Sequence, residues 1–312
     1  MVELFPAIPL AEWADTKETF HRFAQIVGKV RLAASVRRNH WWNVPFHLTG
    51  RGLTTRPMGT PGRTPVFCID FDLVGHRLIV DRLDGRSVAF PLVGLSVAAF
   101  HRALFDALAD LGIEVDILAV PFDLNDDTPF AEDTAHAAYD PAAVTRYWQV
   151  LSQVALVLER FAADFCGKIS PVHHFWHTFD IAVTRFTGRI VGAEPKADPV
   201  TREAYSWEVI SAGFWFGDKE RPWPAFYSYT APEPDGLGKE PLSPATAAWE
   251  GTDGSHLAIL RYDDARAAED PVATVLEFLS SAYEAGARRT GRDLAALASP
   301  HGVTDPQLDE RN

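Results

Sequence analysis

Cysteine is scarce. The 312 residues hold two, Cys68 and Cys166, 98 positions apart, which excludes a disulfide framework or a zinc ribbon and predicts each as a small buried hydrophobe. No run of about 18 apolar residues occurs, so no helical membrane span is expected. The opening stretch Met1–Trp13 carries Pro6, Pro9 and Glu12 in place of a basic region and an apolar core; a secretory leader is not expected, and the cytoplasm is the expected location. Also missing are a Gly-x-Gly-x-x-Gly turn after a strand, a phosphate-loop Gly-Lys-Ser/Thr, His-Glu-x-x-His, Gly-x-Ser-x-Gly and a basic-aromatic stripe. Standard nucleotide-binding, zinc-protease, serine-hydrolase and single-strand-binding assignments therefore lack support.

What is present is an ordinary globular composition, 47% hydrophobic and 23% charged, with a net charge of −13 that argues against a nucleic-acid partner. The charges are unevenly placed. Between His21 and Arg63 stand eight basic residues (Arg22, Lys29, Arg31, Arg37, Arg38, Arg51, Arg56, Arg63) and no acid, whereas Ala103–Thr145 holds ten acids and no Lys or Arg. Either the two segments pair with each other, or the basic one lines a site for an anionic small molecule, since guanidinium matches carboxylate and phosphate.

Periodicity predicts an α+β protein. A helix over Thr16–Ala34 is followed by alternating segments His40–Leu53, Val66–Leu73, Arg77–Leu83 and Ser87–Leu92, an antiparallel meander. Ser96 caps a second helix, Val97–Leu111, and a short strand Glu114–Val120 follows. After the acidic loop, Asp140-Pro141 opens a long helix reaching about Phe165. Strands His173–Thr187, Glu208–Phe216, Ala225–Thr230 and His256–Tyr262 then lead to a last helix, Val272–Ala285, behind Asp270-Pro271.

The two parts echo each other. Arg22-Phe23-Ala24 with Gly28-Lys29 recurs as Arg160-Phe161-Ala162 with Gly167-Lys168, and His40-Trp41-Trp42-Asn43 recurs at an offset of 134 as His174-Phe175-Trp176-His177. An arginine stands eleven residues after the first histidine in each, Arg51 and Arg185. The expected architecture is two related halves in pseudo-twofold duplication, each a helix, an antiparallel sheet and a second helix. Their expected bounds are 1–121 and 141–295, joined by the acidic loop 122–140 and followed by a flexible tail, 296–312.

Ser170–Asp180 concentrates three of the eleven histidines, His173, His174 and His177. On a helix, His173 and His177 would sit about 6 Å apart and share a metal with Asp180. On a strand they lie roughly 13 Å apart, too far to chelate one ion. The β-rich run Ile181–Phe186 favours a strand, so no metal ligands are assigned. His173, Phe175, His177 and Arg185 then share one face, and His174, Trp176 and Asp180 the other. Facing halves would present Arg51, Arg185, Asn43 and His177 to an aromatic cavity, with Trp42, Trp176, His40 and His174 as further ligand-binding residues. His173 or His177 would act as general acid or base, with Asp180 orienting an imidazole. Tyr205–Tyr229 packs nine aromatics into 25 residues around Glu208, a further acid–base candidate, and His136 in the acidic loop is a weaker candidate for a site edge.

Several blocks resemble one family: Gln25–Leu32, Asn39-His-Trp-Trp, Arg51-Gly-Leu-Thr-Thr, Asp133-Thr-Ala-His-Ala-Ala-Tyr-Asp, Val183-Thr-Arg-Phe-Thr-Gly-Arg, Asp198–Ser206 and Glu208-Val-Ile-Ser-Ala-Gly-Phe-Trp. Together they make the chain look like the bacterial domain-of-unknown-function family 5996 from Phe5 to about Tyr283. That resemblance implies no reaction and no cofactor. It places glycine where His177 stands and histidine where Trp207 stands, which moves weight toward Arg51, His173, Arg185 and Glu208. The functional expectation is a cytoplasmic enzyme that binds a small anionic or aromatic molecule between its halves and acts by His/Glu acid–base chemistry. The alternatives are a non-catalytic binding or sensor protein, and a His/carboxylate metal-dependent enzyme. The cofactor and the oligomeric state stay open, and no membrane partner is expected.

Overall fold

The computed structural model describes residues 3–192, 196–305 and 308. The chain is mixed α+β with two antiparallel sheets and divides into two compact units. The first consists of 11–150 with 174–179; the second gathers the described residues of 1–10, 151–173 and 180–312. The acidic segment 122–140 lies wholly in the first unit.

The first unit is built on helix α1 (Ala14–Ala34), which is buried almost continuously from Thr16 to Arg31. Five antiparallel strands follow as a meander in sequence order: β1 (His47–Thr49), β2 (Gly52–Thr54), β3 (Phe67–Asp72), β4 (Arg77–Arg82) and β5 (Ser87–Pro91). Period-two alternation buries Leu53, Ile69, Phe71, Leu78 and Val80 and leaves Cys68, Asp70 and Asp81 on the opposite face. Phe20 of α1 meets Phe71 edge-on at 5.3 Å, and Phe23 stacks on Phe100 at 4.1 Å. Phe100 belongs to α2 (Val97–Asp110), whose cap Ser96 accepts from the Ala99 N–H as expected.

The acidic segment is a strap. Asp133 and His136 carbonyls accept the Ala98 and Val97 N–H groups, two of the donors that a helix start leaves unsatisfied. Its Ala138 and Asp140 N–H groups donate to Thr19 and Thr16 of α1. The expected strand Glu114–Val120 does not form; the segment is irregular, and its Ala119 carbonyl accepts from the Phe130 N–H at 3.0 Å.

The second sheet has the order β10-β11-β9-β8-β7-β6, and all of it but the last two residues of β6 belongs to the second unit. Its strands are β6 (His173–Phe175), β7 (Asp180–Ile190), β8 (Trp207–Trp215), β9 (Ala225–Ala231), β10 (Ala248–Glu250) and β11 (Leu257–Arg261). The helices are α3 (Pro141–Ala163), which begins in the first unit, α4 (Pro199–Ala204), α5 (Tyr262–Arg266) and α6 (Pro271–Arg289). α6 starts at the cap Asp270 with Pro271 behind it, and Gly286 leaves room for Thr230 and Ile210 of the sheet.

Four expectations are corrected. His40 opens no strand; Asn39–Trp41 is a 3-10 turn with left-handed backbone at His40 and Trp41. His173–Thr187 is not continuous: Trp176–Phe179 is a turn, closed by Phe179 N–H to Phe175 O at 2.8 Å, because Trp176 and Phe179 bury against α1 instead of extending the ladder. Cys166 is exposed and Cys68 half-buried. Gly28-Lys29 lies inside α1, whereas Gly167-Lys168 follows the end of α3, so that sequence echo is not an echo of local structure. Of the tail expected to be loose, Ser299 is buried and donates to Ala163 O at 2.8 Å, while 306–307 and 309–312 fall outside the described residues.

Gly28 is the contact point of that turn. A Cβ there would collide with the Trp176 indole. Gly28→Ala is therefore expected to destabilise the protein by about 1–3 kcal/mol through overpacking, against the ~1 kcal/mol that alanine gains in a helix. Thermal melts of Gly28→Ala, Trp176→Ala and the double variant check this, the double costing less than the sum.

Candidate functional site

The residues that follow 40–43 meet the segment 174–177 in the first unit. Phe46 N–H donates to His174 O at 2.9 Å, and the Trp176 indole N–H donates to Val44 O at 3.1 Å. His40, Asn43, His174 and Trp176 are buried. The His40 ring lies 5.8 Å from Trp42, Asn43 Oδ1 accepts from the Arg38 N–H, and His174 Nε2 is hydrogen-bonded to the buried Tyr147 hydroxyl at 2.7 Å.

The turn sits on polar groups of α1. His21 Nε2 lies 3.0 Å from Trp176 O and 3.1 Å from His177 O. Both neighbours are acceptors, so Nε2 carries the proton; burial, with Lys17 beside it, holds the imidazole well below its usual range and keeps it neutral. Gln25 donates to Phe122 O and accepts from Phe122 N–H, both at 2.8 Å. Burial also pulls His177 down to about 4, so it is neutral at physiological pH.

Further along α1 the charges divide into two kinds. Arg22 is matched by Glu18 at 2.8 Å, Asp126 at 3.3 Å and Asp133 at 3.5 Å. Asp133 also holds His136 Nδ1 at 2.8 Å. Lys29 and Arg31 are 8% and 6% exposed, and neither has a carboxylate partner among the described residues. Desolvation lowers Lys29; desolvation and then the nearby Arg56 charge lower Arg31 to about 10, where it is still a cation at neutral pH. The polar contact of the Arg31 guanidinium is His47 Nε2 at 3.5 Å, and its buried Nε–H has no acceptor.

Arg51 is half-exposed and bound to Asp72 at 3.0 Å. Arg185, in the second unit, is buried among aromatic rings, 3.7 Å over Phe161 and 4.3 Å over Tyr283, and donates to Phe161 O. The buried Glu208 carboxylate accepts from Thr187 Oγ1 at 2.7 Å and from Arg189, with Arg292 at 3.8 Å. Asp180 accepts from the Tyr227 hydroxyl, which burial and Asp180 push well up. His173 is buried at the start of β6, and Trp207 lies under Lys168 at 4.0 Å. A groove of about 620 Å³ lined by Arg160, Ala163, Asp164, Ala298, Pro300 and His301 contains none of these residues.

Among the described residues, two groups have ligand atoms close enough for a cation. Asp126, Asp133 and His136 already have Arg22 as their counter-ion. In the other, burial and then Asp70 and Asp81 push the Cys68 thiol up to about 11, so it stays protonated unless a metal displaces the proton.

Sequence reasoning missed His21, Gln25, His47 and Tyr147 as site elements. Lys17, His21, Gln25 and Lys29 recur every four residues, a polar stripe that was readable. The packing partners that make it an interior stripe were not.

Asp72 yields a prediction for Arg51. Burial opposes its charge, but hydrogen bonds from Arg51, the Gly75 N–H and Arg77 outweigh that and hold the carboxyl at about 2. A depressed carboxyl contributes stability above its unfolded value near 4, and that contribution is lost as pH falls from about 4 to 2. Both arginines are more than half exposed, so the loss is on the order of 1 kcal/mol. Urea titrations at pH 5 and pH 2.5 are expected to show it, and Asp72→Asn to remove that part of the pH dependence.

No helix of the described residues is long and apolar enough to cross a membrane. No curated protein and no solved structure matches the chain. The profile of a family of unknown function, DUF5996, matches residues 5–299, and the chain belongs to that family.

Proposed function

We propose that this protein is a cytoplasmic small-molecule-binding protein whose ligand is an anion held by the basic segment of the first unit. The observation that carries this reading is the pair Lys29 and Arg31, buried without a carboxylate partner among the described residues. Taking a charge out of water costs several kcal/mol. The C-terminal end of a helix returns about 0.3–1 kcal/mol to a cation, and up to about 2 in favourable buried cases. The difference calls for a negative partner that the chain itself does not supply.

Binding is favoured over turnover by the state of the acid–base candidates. Glu208 is engaged by Thr187 and Arg189, Asp180 by Tyr227, and His177 is neutral. A catalytic role falls instead to His136: a buried carboxylate fixes its Nδ1, and its side chain is 27% exposed, the arrangement that prepares Nε2 to take a proton. The two helix–sheet–helix runs support an origin by duplication.

The test is native mass spectrometry of the purified chain, with thermal melts against phosphate, acetate and benzoate. A retained anion, or a midpoint raised by at least one of the three, is expected. Lys29→Met is expected to raise the midpoint of ligand-free protein, because a largely buried cationic side chain without a carboxylate partner among the described residues is replaced by an apolar one, and to weaken the response to anions. An empty protein that responds to none of the three would falsify the reading.

A further inference from the structure

Arg31, Arg56 and His47 form a group apart from the rest of the basic segment. Two residues further along α1 than Lys29, Arg31 points to a different side of the helix. There it faces His47 Nε2 at 3.5 Å, on edge strand β1, and lies close enough to Arg56 to feel its charge. Arg56 is solvent-exposed and adopts left-handed backbone at φ 59°. That turn is held: the Arg56 N–H donates to Thr54 Oγ1, and its carbonyl accepts from the buried Thr55 hydroxyl, both at 3.0 Å. A strained conformation in a residue other than glycine, fixed by two hydrogen bonds, persists where its surroundings enforce it.

The charge balance selects the ligand. Arg31 and Arg56 contribute two fixed positive charges, and neither has a carboxylate partner among the described residues. A carboxylate supplies one negative charge, half of what two neighbouring guanidinium groups carry, and so offsets only part of their mutual repulsion. A phosphate group carries about −1.5 to −2 at pH 7 and offers three acceptor oxygens, enough for both guanidinium groups, while His47 Nε2 accepts from Arg31 and helps to fix that side chain. We infer that Arg31, Arg56 and His47 form a binding site for a phosphate dianion, inorganic or as a phosphomonoester. This assignment rests on the anion-binding reading and narrows it to one ligand class and three residues.

The experiment is a thermal-shift titration of the full chain with inorganic phosphate, phenyl phosphate and acetate at matched ionic strength. Both phosphates are expected to raise the midpoint, by about 3 °C or more at a hundredfold excess over Kd, with acetate giving a smaller shift. The more effective of the two phosphates identifies the source. Arg56→Met, at an exposed position where folding is not at stake, is expected to weaken the apparent phosphate affinity at least tenfold. Arg31→Met is expected to abolish the response while raising the midpoint of the ligand-free protein. Arg63→Met, an exposed charge outside the group, controls for non-specific attraction and is expected to leave the response intact. Acetate matching phosphate, or Arg56→Met and Arg31→Met keeping the wild-type phosphate response, overturns the site while the broader anion-binding reading stands. No response to any anion overturns both.

Discussion

Helix α1 is enclosed from Thr16 to Arg31 while carrying Lys17, His21, Arg22, Gln25, Lys29 and Arg31. A helix buried all round is ordinarily apolar all round, so each of these groups makes a demand on whatever packs against it. The first unit is arranged around the demands. Arg22 draws in Asp126 and Asp133 and with them the acidic strap; His21 and Gln25 capture the carbonyls of the Trp176–Phe179 turn and of Phe122. Thr16 and Thr19 receive two strap N–H groups, and the one position without a side chain, Gly28, receives an indole. The strap in turn caps α2. Much of the irregular backbone of this unit is thus organised by hydrogen bonds and contacts to a single helix.

This arrangement explains which parts were legible in the sequence. The meander over Phe67–Pro91, the Ser96 and Asp270 caps and the extents of the long helices depend on local period and on side chains within three residues, and they appear as expected. The Trp176–Phe179 turn does not depend on local preference. Its residues alternate like a strand, and what breaks them out of the ladder is burial against a helix about 150 positions earlier. The acidic strap has the same character: read along the chain it is a polar loop, and it becomes ordered structure through the amides of α2 and through Thr16, Thr19, Arg22 and Gln25 of α1.

The candidate site divides along the same line. The likeness of residues 40–43 to 174–177 was visible as a sequence echo, and the structure joins the residues just after the first segment, Val44 and Phe46, to Trp176 and His174 by two hydrogen bonds. The arginines chosen for their spacing are engaged in different ways, Arg51 with Asp72 and Arg185 between aromatic rings. Neither offers an open guanidinium fork. Spacing identified which residue types recur, but the availability of a charge depends on its neighbours in space. The more informative signal was the acid-free stretch from His21 to Arg63, because it counts partners as well as cations.

Arg22 supplies the internal comparison that gives Arg31 its meaning. Both are guanidinium groups on one helix, nine residues apart, and each is more than nine-tenths buried. Around Arg22 the chain assembles three carboxylates, one from the preceding turn and two from a strap more than a hundred residues away. The fold therefore supplies acids to a buried cation even at long range. Around Arg31 it supplies an imidazole and a second arginine. Elongated basic side chains can also be buried by their stems while the charge stays in water, but the Arg31 Nε–H is itself shut off from solvent and has no acceptor. The proposed anion site rests on this contrast: Arg22 is matched from within the chain, whereas the charge to compensate Arg31 would come from outside, and two guanidinium groups would set its size.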